Sequence, residues 1–320
     1  MKQQITMNKS QNLSIEEAYQ LFIRKAHIRN LSEQTIKTYN NHFGFFSQST
    51  DIDTPINTVT SDTVDNYILY LREHTKAKDI TINSYLRSLR AFLYYCMECQ
   101  YIPSFKIKLI KAEKKIKESY TDSELERLLK KPDLDSCSFS IYKTWVFENY
   151  LLGTGNRIST ALDVKIFDLD FQSSTINLHK TKNRKQQIIP LSHTLSQILQ
   201  EYLQIRGGEL EDYLFCNLYG GQGSIRTFQD LVTNYNIKRN VNKTSCHLFR
   251  HTFAKNWILA GGDQFRLMKI LGHSDMSVTK EYVQMFGQDL QLDFEKFNPL
   301  DNLSINKKKR TIDMDGGSRQ

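Results

Sequence analysis

Residues 246–285 read CHLFRHTFAKNWILAGGDQFRLMKILGHSDMSVTKEYVQM. Apolar residues recur here at helical spacing, and the run is broken at Gly261-Gly262, which ends one helix, while Asp263 can cap the next. The spacing predicts helices over 248–260, 263–271 and 274–285. His247 and Arg250 stand three residues apart at the start of the first, so both project from one face. Leu271-Gly272-His273 places a second histidine at the end of the second helix, and Tyr282 follows nine residues later on the third.

Upstream, Thr154-Gly155-Asn156-Arg157 is a glycine turn that delivers an arginine. Two stretches rich in β-formers, 167–178 and 186–191, flank a polar break at 181–185 that contains Lys182. Together these residues meet the requirements for transferring a DNA phosphodiester without a metal. Planar cations must hold the negative charge that grows on the non-bridging oxygens, and arginine does so with two parallel hydrogen bonds. A hydroxyl must attack and a proton must reach the leaving oxygen. A tyrosine nucleophile stores the bond energy as an ester, so the strand can be resealed. Taken singly, Arg157 reads as an ion-pair residue, His273 as a structural histidine and Tyr282 as one of 16 tyrosines in the core. The ordered set carries the argument.

The rest of the chain reads as mainly α with a small antiparallel β insert, in two domains. Residues 13–103 form a helical domain that opens on a capping box, Ser14 to Glu17. Its stripes include Ile36, Tyr39, Phe43 and Phe46, then Val64, Tyr67 and Leu71, then Tyr85, Leu89, Phe92 and Leu93. The last helix also aligns Arg87, Arg90 and Tyr94, which suits phosphate contact or a solvated face. Cys96 and Cys99 form a CxxC pair on this helix, read as buried helix residues because no second ligand pair stands at zinc spacing. A basic linker spans 104–120, with Lys106, Lys108, Lys111, Lys114, Lys115 and Lys117 opposed by Glu113 and Glu118. Arg87, Arg90, Lys111, Lys114 and Lys115 are the candidate DNA contacts. A second domain spans 121–297, opening on the capping box Thr121 to Glu124, and a polar tail covers 298–320.

With 320 residues and 39% hydrophobic composition the chain can bury two cores. Its net charge of +8 favours a polyanionic partner. The first 13 residues lack the apolar segment of a secretory signal, and no apolar run is long enough to span a membrane. Five dispersed cysteines point to a reducing cytoplasm rather than a disulfide framework.

Three blocks, TGNR with Arg157, HLFRHTFA with His247 and Arg250, and LGHSDMSVTKEY with His273 and Tyr282, closely resemble in order and spacing the catalytic blocks of the tyrosine recombinases, or phage integrase family. TKNRKQQIIPL resembles the family's lysine-bearing hairpin, with Lys182 at the catalytic position. The likeness covers about residues 13–297, the helical half resembling the family's core-DNA-binding domain. It implies a site-specific recombinase in which Tyr282 attacks the phosphate and forms a 3′-phosphotyrosyl bond. Arg157 and Arg250 clamp the phosphate, Lys182 protonates the leaving oxygen, His247 assists the proton of Tyr282 and His273 adds a hydrogen bond. It implies no metal and no cofactor. The implied partners are double-stranded DNA, a homotetramer on two DNA sites and accessory DNA-binding proteins, in the cytoplasm at the nucleoid.

The segment 290–297 alternates apolar residues like the family's docking tail, and the short lead before residue 13 suggests a simple Xer-like or transposon-type architecture without an arm-binding domain. One position departs from the pattern: Thr160 stands where the family usually has an acidic residue, and Asp163, one turn on, is a candidate substitute. Two other readings remain, a type IB topoisomerase-like enzyme that relaxes DNA and a DNA-binding relative without catalysis.

Overall fold

The structure, a computed structural model, describes residues 13–113, 118–179, 186–217 and 219–272. The chain divides into two compact units, 1–115 and 116–320.

In the first unit, four helices enclose an aromatic core: α1 (Ile15–Ile28), α2 (Glu33–Phe46), α3 (Ser61–His74) and α4 (Asp79–Glu98). Ser14 and Glu17 close the capping box of α1 reciprocally, at 3.1 and 2.9 Å. Tyr19 stacks on Phe43 at 3.6 Å between centroids, and Phe92 meets both rings edge-on.

The stretch after α4 is anchored rather than free over its first half. Ile102 and Ile107 are buried in the same core, and Phe105, Leu109 and Ile110 pack against it. Buried Asn83 of α4 donates to the Ile110 carbonyl and accepts from its N–H, both at 2.9 Å. Lys106, Lys108 and Lys111 are exposed between these apolar anchors. Of the CxxC pair, only Cys96 is buried, its thiol pushed up to about 12 by desolvation. Cys99 caps the end of α4 and is exposed, so the pair is not jointly buried as the sequence suggested.

The second unit is built round α6 (Phe139–Thr154), which is buried on nearly its whole circumference, as expected for an enclosed helix. It packs against α5 (Asp122–Leu129), α8 (His193–Arg206), α9 (Ile225–Lys238) and α10 (Cys246–Leu259). The one-turn α7 (Ile158–Ala161), which the sequence reading missed, follows α6 directly, and α11 (Gln264–Leu271) follows α10. The insert is a three-stranded antiparallel sheet in the order β1 (Leu169–Asp170), β2 (Thr175–Leu178), β3 (Gln187–Pro190). Its register sets Ile176 opposite Leu169 and Ile189, and Leu178 opposite Gln187. Residues 166–168 form a 3-10 turn, so the first strand is shorter than the β-rich run suggested. Among the described residues, no helix is long and apolar enough to cross a membrane.

Helix α6 itself carries two buried ionisable groups. Lys143 donates to the Cys216 carbonyl at 2.9 Å, and desolvation lowers its pKa. Glu148 is fully buried, and neither of its oxygens has a hydrogen-bond partner among the described residues. Burial holds its pKa well above the ordinary value of 4.5, against a smaller opposing pull from Arg239. The folded state therefore keeps a proton that the unfolded chain releases, so stability falls as pH rises above about 4.5 towards the folded pKa. Glu148→Gln should stabilise the fold at pH 7 and flatten that decline. Thermal melts between acidic and neutral pH test this; an unchanged profile would mean that the carboxylate is ionised in the fold.

Candidate active site

The site is assembled at the carboxyl ends of two helices. Helix α6 ends at Thr154, and Gly155 caps it in the left-handed conformation at φ 63°. A Cβ there would approach Phe253 Cδ1 to 2.7 Å and Leu271 Cδ2 to 2.8 Å, so both the backbone angle and the space demand glycine. Next, Asn156 is buried and donates its side-chain N–H to Tyr150 Oη at 3.0 Å, while its backbone N–H reaches Thr154 Oγ1 at 3.2 Å. This fixed turn delivers Arg157 as the amino-terminal cap of α7.

Arg250 comes from α10 and is 2% exposed. Its Nη1 donates to Gly155 O at 2.9 Å and its Nη2 to Leu271 O at 2.8 Å. The guanidinium thus bridges the carboxyl ends of α6 and α11. Those ends carry partial negative charge and unmet carbonyls, which favour a permanent cation there. Gly272 closes α11 in the left-handed region at φ 62°.

Asn156, Arg157, Thr160, Leu178, Gln187, Arg250, Leu271 and Gly272 line one small cleft. The structure therefore brings Arg157 and Arg250 together. It places His247 in the first turn of α10, exposed and edge-on to His251 at 4.7 Å between ring centroids, outside the set that lines this cleft. Helix α10 begins two residues earlier than predicted because Ser245 caps it, its Oγ accepting from His247 N at 3.3 Å. Thr160, at the position of the expected acidic residue, is buried in the cleft wall. Asp163 lies outside the lining set; its carboxylate accepts from Gln222 Nε2 at 3.3 Å.

Lys182, His273 and Tyr282 lie outside the described residues, as do Lys114, Lys115, the predicted helix 274–285 and the segments 290–297 and 298–320. Of the remaining candidate DNA contacts, Arg87 and Lys111 are exposed and Arg90 is half-buried. Arg87 lies one helical turn beyond Asn83, the residue that anchors Ile110 next to Lys111. Among the described residues, no group of three or more His, Cys, Asp or Glu side chains could hold a metal ion.

The model of the phage integrase family matches residues 118–288, and that of the phage integrase SAM-like domain matches residues 15–116. The chain belongs to the phage integrase family. A tyrosine recombinase XerD of Halalkalibacterium halodurans is 26% identical over 285 residues, 85% of this chain and 93% of that protein. A tyrosine recombinase of Pseudothermotoga lettingae is 27% identical over 291 residues, 87% of this chain and 94% of that one. An integrase of the transposon Tn1549, solved with transposon right-end DNA, shares the fold with a TM-score of 0.71 at 22% identity, over 86% of this chain and 98% of that one. The recombinase XerH, solved on a palindromic difH substrate, does so with a TM-score of 0.67 at 20% identity, over 87% of this chain and 83% of that one.

Sequence reasoning missed Asn156 and Gln187 in this integrase-family cleft. Gln187 left a signal: it shares a strand face with buried Ile189, and a polar residue on a core-facing strand position needs a partner. Asn156 left none, since its role depends on Tyr150 six residues earlier on α6.

The bridging geometry gives Arg250 a structural share. Arg250→Lys keeps the charge but cannot span Gly155 O and Leu271 O with one ammonium. Orphaning one buried carbonyl should cost about 1–3 kcal/mol of stability. Thermal unfolding of Arg250→Lys beside the wild type tests this, and an unchanged melting temperature would refute the bridge.

Proposed function

We propose that this chain is a tyrosine recombinase that cuts and rejoins DNA at specific sites through a covalent bond between Tyr282 and the backbone phosphate. The observation that carries the reading is the convergence of Arg157 and Arg250 on one cleft, in a unit matched by the phage integrase family model.

In the first step the Tyr282 oxygen attacks phosphorus while the bond to the 5′ oxygen breaks. The tyrosine proton leaves with help from His247, and Lys182 supplies a proton to the departing 5′ oxygen. Arg157 and Arg250 hold the non-bridging oxygens, and His273 adds a hydrogen bond to them. The products are a 3′-phosphotyrosyl ester and a free 5′-hydroxyl. A 5′-hydroxyl from a partner duplex then attacks the ester, releasing Tyr282 and joining the exchanged strands. The phosphodiester count is conserved, so no external energy source is needed.

In this reading the working assembly is a homotetramer on two DNA sites, acting in the cytoplasm at the nucleoid with accessory DNA-binding proteins where the site requires them. The element served is a mobile element or the chromosome itself. Arg87, Arg90 and Lys111, with Lys114 and Lys115, track the DNA backbone from the helical domain of 13–103 and the basic stretch that follows. The exposure of Arg87 and Lys111 supports this. Replacing Arg87 and Lys111 by glutamine should reduce the slope of log affinity against log salt by about one per lost phosphate contact.

The decisive experiment uses nicked suicide substrates drawn from the DNA flanking the gene. The wild-type protein should form a denaturant-stable protein–DNA adduct, and Tyr282→Phe should bind the same DNA but form none. An adduct that survives the Tyr282→Phe change would overturn the assignment.

A further inference from the structure

The last three carbonyls of α11 all accept from side chains that come from elsewhere in the unit. Gln187 Nε2 donates to Lys269 O at 2.5 Å and to Ile270 O at 2.8 Å. Arg250 Nη2 takes the third, Leu271 O. Gln187 reaches them from the first position of β3, where its backbone is paired opposite Leu178. Its amide can face only one way, because carbonyls need the nitrogen; the oxygen then lies beside Gly272, 2.9 Å from where a Cβ would be.

We propose that Gln187 is a positioning residue for the phosphate clamp: by capping α11 from the sheet, it fixes Leu271 O and thereby aims the Arg250 guanidinium. This rests on the reading of Arg250 as a phosphate ligand. The two carbonyls that hold Arg250 are not equally secure. Gly155 O belongs to a turn at the end of a long buried helix. Leu271 O ends a helix of eight residues, whose apolar hold among the described residues is a small cluster of Leu267 and Leu271 with Ala254, against which Phe253, Trp257 and Ile258 pack. A helix that short does not hold its last turn unaided. The tie from β3 supplies the missing restraint, and it does so with a neutral group. A glutamate would set a carboxylate against two carbonyls, and a cation would compete for the phosphate that the arginines bind.

The test compares single-turnover cleavage of two suicide substrates, one with a normal scissile phosphodiester and one with a methylphosphonate. Replacing a non-bridging oxygen by methyl removes the charge that the arginines hold, so the aim of Arg250 ceases to matter. Gln187→Met keeps the length and loses the donors. It should slow cleavage of the phosphodiester by about tenfold to a hundredfold, while its rate on the methylphosphonate stays close to that of the wild type on the same substrate. An undiminished rate on the phosphodiester, or an equal loss on both substrates, would overturn the proposal, the second pointing to a merely structural role. If Gln187→Met melts before the assay temperature, Gln187→Asn, neutral and too short to reach both carbonyls, is read in the same way. Arg250→Ala calibrates the comparison: if the methylphosphonate does not relieve its defect, the clamp reading itself has failed, whatever Gln187 does.

Discussion

A guanidinium suspended between two helix ends organises the catalytic unit. Arg250 is buried, no acidic side chain is among the described residues that line its cleft, and its donors go to Gly155 O and Leu271 O. Burying a cation is ordinarily costly unless its donors are met. It is tolerated here because the carboxyl ends of α6 and α11 point their negative poles and unmet carbonyls at the same spot. The arrangement has a functional corollary. Carbonyl dipoles fix the position of the cation but do not neutralise it, so its charge remains available to an incoming phosphate.

That suspension depends on α6. A helix buried on all sides cannot drift, and its carboxyl end therefore serves as a fixed reference for Gly155, Asn156 and Arg157. Enclosure also bears on the two buried ionisable side chains of this helix. Lys143 keeps its place by donating to a backbone carbonyl, whereas Glu148, without a hydrogen-bond partner among the described residues, keeps its place by holding a proton. Both sit on the segment that must stay rigid, and neither lines the cleft.

The fold class and the arginine pair were legible in the sequence because each depends on local pattern. Capping boxes at Ser14 and Thr121, glycine at 155 and 272, and the HxxR spacing announce themselves within a few residues. The β insert was legible as β-formers around a polar break, but its first strand shrank because residues 166–168 turn instead of extending. What sequence could not give was long-range. The pairing of Asn83 with Ile110 turns part of a presumed linker into packed chain, and the tie from Gln187 to α11 spans more than eighty residues. Such contacts have no periodicity to reveal them. The CxxC pair shows the converse: helical spacing was real, yet α4 ended at Cys99 and left it in solvent.

The departure at Thr160 gains meaning from this environment. Among the described residues, the polar lining of the cleft apart from its arginines is neutral: Asn156, Thr160 and Gln187. An acidic side chain at position 160 would offset part of the positive field and could hold a guanidinium by charge-assisted hydrogen bonds. With threonine there, the field on a bound phosphate is stronger, and no carboxylate from that position restrains the arginines. Neutral groups supply part of the restraint: the Gly155 and Leu271 carbonyls for Arg250, and the Asn156–Tyr150 bond for the turn that carries Arg157. Orientation held by dipoles is weaker per contact than orientation held by charge, and so more contacts must share it. In the proposed mechanism this gives a glutamine on an edge strand, with no charge of its own, a place beside the arginines that would hold the phosphate.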